Sequence, residues 1–420
     1  MKSKIKFLSL SVWIAIIALI LLNYSCNKDD DKGGLEGDVI GGVLLAPDGS
    51  TPIAGATVYV PVSAKSIKKL NSDLFAADCS EPDEAYIVYT CTDYDGSFEL
   101  NVAQIEGSSF TLRIAKGSFI KDFIIDLNTS GNNLGNLALP SDPGEGAGYF
   151  AVVTGSYDRM QDILAKLGMG EIDSYYKLVQ GTEKFDLYDG AYSFDFDIPL
   201  FEEIFATDPL IGNPKIESYD MVFINCGNNY EYEILADADK ISILRQYVNN
   251  GGKLYITDQS YDFVEQVFPE YIDFYGNDEV SETTAEEMDI AQIGDDGITS
   301  NATINDNQLL SWLKTISCEG GSCLNSDNTV HIAGFLSGWT LINGAHPAKS
   351  SEVKIWITGP VSWYDWYLED GEGSGLKPLT VSFSFGLGKV LYTSYHTEEE
   401  NPSSGFWSQE RILQYLVFEL

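Results

Sequence analysis

Two stretches carry side chains suited to chemistry, Cys226-Gly227-Asn228 and Asp258-Gln259-Ser260, and each closes a short apolar run. Far downstream, His396 and Glu398 stand two residues apart. An Asp/His/Glu set made of Asp258, His396 and Glu398 has the residue types for general acid and base work, because an imidazole titrates near neutrality and an acid fixes its tautomer. The other two histidines, His331 and His346, lie in unrelated contexts. Cys226 is alone on its apolar run and reads as a small buried residue rather than a nucleophile. The competing reading of the set is structural, with His396 making one internal hydrogen bond.

These residues need a scaffold, and the stretch from 219 to 263 supplies it. Residues 219–226 and 253–257 have the length and composition of buried parallel strands. Between them Ile234, Leu235, Ile241, Leu244, Tyr247 and Val248 recur at helical spacing, and Asn249-Asn250-Gly251-Gly252 supplies the stop. A right-handed crossover puts both strands in one parallel sheet, and ligands of such sheets sit beyond the carboxyl ends of the strands. Gly227, Asn228, Gln259 and Ser260 are therefore candidate ligand-binding residues. Around this unit the pattern predicts strands at 149–155, 185–188, 330–333, 353–358, 379–385 and 388–396, and helices at 158–167, 306–316 and 409–418. Residues 290–303 read as polar and irregular, and Asp306 is placed to cap its helix. The expectation is an α/β domain over 149–420 with a mostly parallel sheet.

Upstream, residues 35–139 read as short strands with turns at Asp48-Gly49, Asp93-Tyr94-Asp95-Gly96 and Lys116-Gly117, the spacing of a small β-sandwich. Asp48, Asp93 and Asp95 are read as turn formers rather than calcium ligands, since Asp tolerates turn geometry. Residues 140–148, rich in Pro, Gly and Ser, are a linker by composition.

The start of the chain gives an address. Lys2, Lys4 and Lys6 precede an apolar run at 7–22, the layout of a signal peptide occupying 1–25. The run ends in Asn23-Tyr24-Ser25-Cys26, which resembles a bacterial lipoprotein lipobox, departing from it at Asn23. The resemblance implies lipidation at Cys26 and a membrane anchor. The acidic tether 26–34 resembles the tag that carries Bacteroidetes-type lipoproteins to the outer face of the outer membrane. The net charge is −38, and loss of the three signal lysines takes it to −41. Nucleic acid and anionic lipid surfaces are poor partners for that balance, and no nucleic acid is expected. In an exported protein Cys79, Cys91, Cys318 and Cys323 read as two local disulfides. Zinc is not expected, for want of CxxC spacing and neighbouring histidines, and no other metal or cofactor is expected either.

Two resemblances sharpen the fold. GDVIGGVLLAPDGSTPIAGATVYV followed by TDYDGSFEL resembles the carboxypeptidase regulatory-like domain, which implies a transthyretin-like sandwich serving as a spacer. In the second domain the order of parts resembles the class I glutamine amidotransferase-like fold. Gly227 falls where that family builds its oxyanion site, and GKVLYTSYHTE puts His396 and Glu398 at the spacing of its base and orienting acid. The turn after Ile256-Thr257 would hold the nucleophilic cysteine, and Asp258 stands there instead. A thioester mechanism needs a thiolate at that turn, so glutaminase activity is excluded. Late aromatics, Trp363 and Trp366 above all, are candidates for stacking on sugar faces, the alternative being packing in the sheet. The expectation is thus a surface lipoprotein that binds an extracellular ligand, a glycan first among the candidates. A hydrolase using Asp258, His396 and Glu398, or an interaction protein with an envelope protein as its partner, are the rival readings.

Overall fold

The computed structural model describes residues 39–62, 79–191, 198–275, 284–364, 372–397 and 403–420. It is an α/β protein with mixed sheets. In the first unit Val39–Leu45 lies between Ser97–Asn101, antiparallel, and Asn133–Ala138, parallel. A four-stranded sheet runs in the order Tyr86–Cys91, Thr57–Pro61, Ser109–Lys116, Phe119–Asp126. Alternate residues of the two sheets, among them Ile40, Leu44, Val58, Phe98, Leu112 and Ile114, fill one core. The Asn133–Ala138 strand has no counterpart in the sequence reading. Asp48 and Asp95 are spent on their own turns, accepting from Ser50, Thr51 and Ser97 at 2.5–3.0 Å. The turn-forming role expected of them explains these acids fully. Disulfides join Cys79 to Cys91 and Cys318 to Cys323, as expected.

The second unit is built on one large sheet. Five strands are parallel to their neighbours, in the order Gly388–Thr393, Lys253–Thr257, Met221–Ile224, Phe150–Val153, Asp186–Tyr188. From Gly388–Thr393 the sheet continues antiparallel through Glu372–Phe385, Val353–Tyr364, Ser300–Ile304 and Val330–Ile332. The sheet is therefore mixed rather than mostly parallel. The cause is local: Gly386-Leu387 is too short for a crossover, and Gly386 at φ +60° closes a hairpin instead. Ser300–Ile304 is likewise a strand, not irregular chain, with Ser300, Ala302 and Ile304 turned inward.

The central strands are apolar on both faces because both are covered. Val152, Phe223, Tyr255 and Leu391 face a core shared with the helices Met160–Leu164 and Ser408–Glu419. Their neighbours Val153, Val222, Leu254 and Val390 face a second core under the helix Ala238–Asn249. The crossover helix is broken once: Glu231–Leu235 ends at Ala236, and Asp237 starts the longer piece by accepting from Asp239 N at 2.9 Å. Asp306 caps the helix Asn307–Leu313 as expected, accepting from Gln308 N and Leu309 N.

The first unit packs on the face carrying Ser408–Glu419, and one apolar core runs through both units. Phe119 meets Phe150 and Phe418, and Lys116 pairs with Glu419 where both side chains are buried. Trp312 Nε1 donates to Pro52 O at 2.8 Å. Among the described residues no helix is long and apolar enough to cross a membrane.

Candidate functional site

Three adjacent parallel strands deliver the residues singled out by chemistry. Met221–Ile224 runs into Asn225-Cys226-Gly227, Lys253–Thr257 into Asp258, and Gly388–Thr393 into Ser394-Tyr395-His396. Because the strands are neighbours in parallel register, their carboxyl ends lie side by side. Asp258 is held at φ +44°, a left-handed conformation that a side chain adopts at a cost. That turn swings the carboxylate back under the strand ends. Oδ2 lies 3.0 Å from His396 Nε2, off the line of an aligned ring hydrogen bond, and 3.4 Å from Cys226 Sγ, which donates to it. Oδ1 accepts from Thr340 N at 2.8 Å, and the Asp258 carbonyl accepts from Tyr392 OH at 2.8 Å.

Asp258, His396 and Cys226 are brought together but sealed. Cys226 and Asp258 are each 1% exposed and His396 is 4% exposed. Burial first, and the Asp258 carboxylate second, push the Cys226 thiol well above its ordinary range, so it stays protonated. Cys226 is a buried small residue with no nucleophilic character. Ser260 is also structural: it is fully buried and its hydroxyl donates to Asn225 O at 2.8 Å.

Above this layer opens a pocket of about 420 Å³. Gly227, Asn228 and Gln259 line it, with Tyr157, Glu231, Tyr232, Tyr261, Asp289 and Thr340. Gly227 sits at φ +81° and a Cβ there would meet the Tyr157 ring at 2.6 Å, so glycine lets the ring close over the strand end. Tyr157 and Tyr232 are 59% and 56% exposed and offer flat apolar faces at the mouth. Deeper in, Asn228 accepts from Tyr230 N at 2.9 Å through Oδ1 while its buried Nδ2 has no partner among the described residues. One wall is acidic. Burial, and then the charges of Asp262 and Asp289, hold the Glu231 carboxyl well above its usual range, and burial raises Asp262 to about 6.

Of the remaining candidates, Trp363 is part-buried in the sheet with Lys377 Nζ 4.8 Å from its ring centre, and it does not line this pocket. Trp366, Glu398, Cys26 and the tether 26–34 lie outside the described residues. Sequence reasoning missed Tyr157, Glu231, Tyr232, Tyr261, Asp289 and Thr340. Tyr157 and Glu231 each follow a strand end within a few residues, a signal that was there to use; Asp289 and Thr340 come from irregular segments that carry none.

No protein-family model matches the chain, and no curated protein matches it. Among solved structures it is similar to cytoplasmic protein STM3548 from Salmonella typhimurium, at 11% identity, covering 64% of this chain and 97% of that one, with a TM-score of 0.34. It is also similar to a catalytic mutant of Gan42B, a GH42 beta-galactosidase from G. stearothermophilus (11% identity, 65% and 30% coverage, TM-score 0.26). A third similarity is to the exo-beta-1,4-mannosidase Op5Man5 from Opitutaceae bacterium strain TAV5 (12%, 66% and 36%, TM-score 0.24).

Proposed function

We propose that this chain is a surface-anchored lipoprotein, a carboxypeptidase regulatory-like spacer carrying an amidotransferase-like α/β domain that binds an extracellular ligand, a glycan first among the candidates. The observation that carries the binding reading is the division of the strand ends into two levels. Asp258 and His396 are 1% and 4% exposed, whereas the pocket above them presents two open tyrosine rings and an Asn228 Nδ2 without a hydrogen-bond partner among the described residues. Rings that stack on sugar faces and a few buried donors that fix orientation are what a carbohydrate pocket needs. The anchor at Cys26 rests on the lipobox resemblance, and the outer membrane on the tether. The test is a glycan-array and calorimetric screen with the lipid-anchored protein. Tyr157→Ala and Asn228→Ala are expected to weaken a captured ligand at least about tenfold, and His396→Ala to leave it unchanged; equal binding by all three variants sinks the assignment.

A hydrolase is the second reading, favoured by one observation: His396 Nε2 within 3.0 Å of the strained Asp258. It requires turnover of esters, amides or glycosides that disappears in His396→Ala, and it fails if the protein captures a ligand and leaves it intact.

A further inference from the structure

The acidic wall of the pocket has a feature that ligand binding does not explain. Glu231, Asp262 and Asp289 each bring one carboxylate oxygen within 4.8 Å of the others; Asp262 is buried and Glu231 is half-buried with its Oε1 shielded from solvent. None of the three takes part in a salt bridge among the described residues. Like charges held this close need protons or a cation between them. Some of their oxygens are already committed: Asp262 Oδ2 accepts from Asp289 N at 3.0 Å, and Asp289 Oδ2 from Tyr232 OH at 2.7 Å. The second, independent observation is Glu231 Oε1, which is buried with no hydrogen-bond partner among the described residues. A buried carboxylate oxygen left without a donor is costly, and a coordinated ion removes that cost.

We infer that Glu231, Asp262 and Asp289 form a calcium site in the wall of the strand-end pocket. The donors are all oxygen, which selects a hard cation and disfavours zinc or copper. Three carboxylate oxygens that all lie within 4.8 Å of one another can share one coordination sphere at the roughly 2.3–2.6 Å ligand distances of calcium, whereas magnesium is usually held by only one or two carboxylates. Three carboxylates leave positions for water, and because Glu231 and Asp289 line the pocket, those positions face it. Tyr232 positions Asp289 through its hydroxyl and does not itself bind the ion. No sequence motif announces the site, since the three acids come from the crossover helix, the short helix Asp262–Glu265 after the next strand and a later loop.

The test is calorimetric titration of Ca²⁺ into the EDTA-treated full-length protein, with no organic ligand present. One ion per chain is expected, with Glu231→Gln and Asp262→Asn each weakening it at least about thirtyfold. Both variants relieve like-charge repulsion, so their melting temperatures in EDTA are expected to equal or exceed that of the parent. Only the parent gains thermal stability on adding Ca²⁺. Absence of binding at millimolar Ca²⁺, or unchanged affinity in Glu231→Gln, overturns the site. Tighter binding of Mg²⁺ or Mn²⁺ overturns the calcium assignment. Failure of this titration leaves the glycan screen untouched, so the two proposals fail separately.

Discussion

Replacing Asp258 separates what its backbone does from what its carboxylate does. Its φ of +44° costs a β-carbon residue roughly 1–2 kcal/mol, less for Asn and Asp, and glycine nothing. Its Oδ1 satisfies the Thr340 N–H at 2.8 Å in a place without solvent, and stranding that donor costs about 1–3 kcal/mol. Asp258→Asn keeps an acceptor of the same shape and a residue that tolerates the turn, so a loss of about 1 kcal/mol is expected. Asp258→Gly loses the acceptor and regains the backbone strain, for a net loss near 1–2 kcal/mol. Asp258→Ala loses the acceptor and tolerates the turn less well than Asp, for about 1–4 kcal/mol. The assay is urea unfolding followed by tryptophan fluorescence, comparing midpoints at constant slope. Glycine no more stable than alanine would refute the backbone argument. Asparagine as damaging as alanine would show that charge, not the Thr340 bond, is what the fold requires.

Two further outcomes test the interior. Burial first, then the nearby Lys389 charge, depresses the Lys253 ammonium to about 8, with Asp220 opposing and Ser118 Oγ accepting from it at 2.8 Å. The folded value lies below the unfolded one near 10.4, so the unfolded chain binds more protons between them and stability rises as pH climbs from about 8 to 10. Lys253→Met is expected to reduce that rise to the share left by Lys389, which burial also lowers, and to be more stable at pH 7 by roughly 3 kcal/mol; urea midpoints measured at both pH values decide it. At the junction of the two units, Lys116→Met leaves Glu419 charged and buried and is expected to cost about 3–5 kcal/mol, most of which the Lys116→Met, Glu419→Met double variant recovers. Additive losses in that cycle would mean the pair is not coupled.

The strand ends were legible because apolar runs of four or five residues broken by Gly227 or by a polar turn can be little else than buried parallel strands. Periodicity also found the hairpin at Lys116-Gly117 and the cap at Asp306. It failed where composition and environment disagree. Ser300–Ile304 hides as a strand because only Ala302 and Ile304 among its inward positions are apolar. Val353–Tyr364 reads in sequence as ending at Thr358 because Gly359-Pro360 follows. In the structure Pro360 falls between the Thr303–Thr358 and Ile293–Tyr364 pairings, where one side of the strand has no ladder to break. The expected acid-base set was half legible: Asp258 and His396 do meet, but burial depends on what covers the strand ends, and the segment around Thr340 that covers them carries no periodic pattern.

That cover also bears on what the site does. Asp258 reaches separate pieces of chain at once: Thr340 through Oδ1, Cys226 and His396 through Oδ2, and Tyr392 through its carbonyl. Each contact ties a loop to the end of a parallel strand. A general base must reach a substrate proton directly or through one water, and a carboxylate 1% exposed with both oxygens engaged has no such path without moving Thr340. The strained turn is better explained by this bracing than by reactivity, since the surrounding contacts over-determine it. Bracing in turn fixes the floor of the pocket, for Thr340, Gln259 and Gly227 line it, and each is held by Asp258, adjoins it or adjoins a residue that it holds. Gln259 adds a further tie, donating to Gly338 O at 2.7 Å. A rigid floor lowers the ordering cost of capturing a ligand, so residues sealed beneath the pocket can serve binding by holding that floor in place. On this argument Asp258→Asn should leave ligand affinity nearly intact, while Asp258→Ala, by freeing the Thr340 loop, should weaken it.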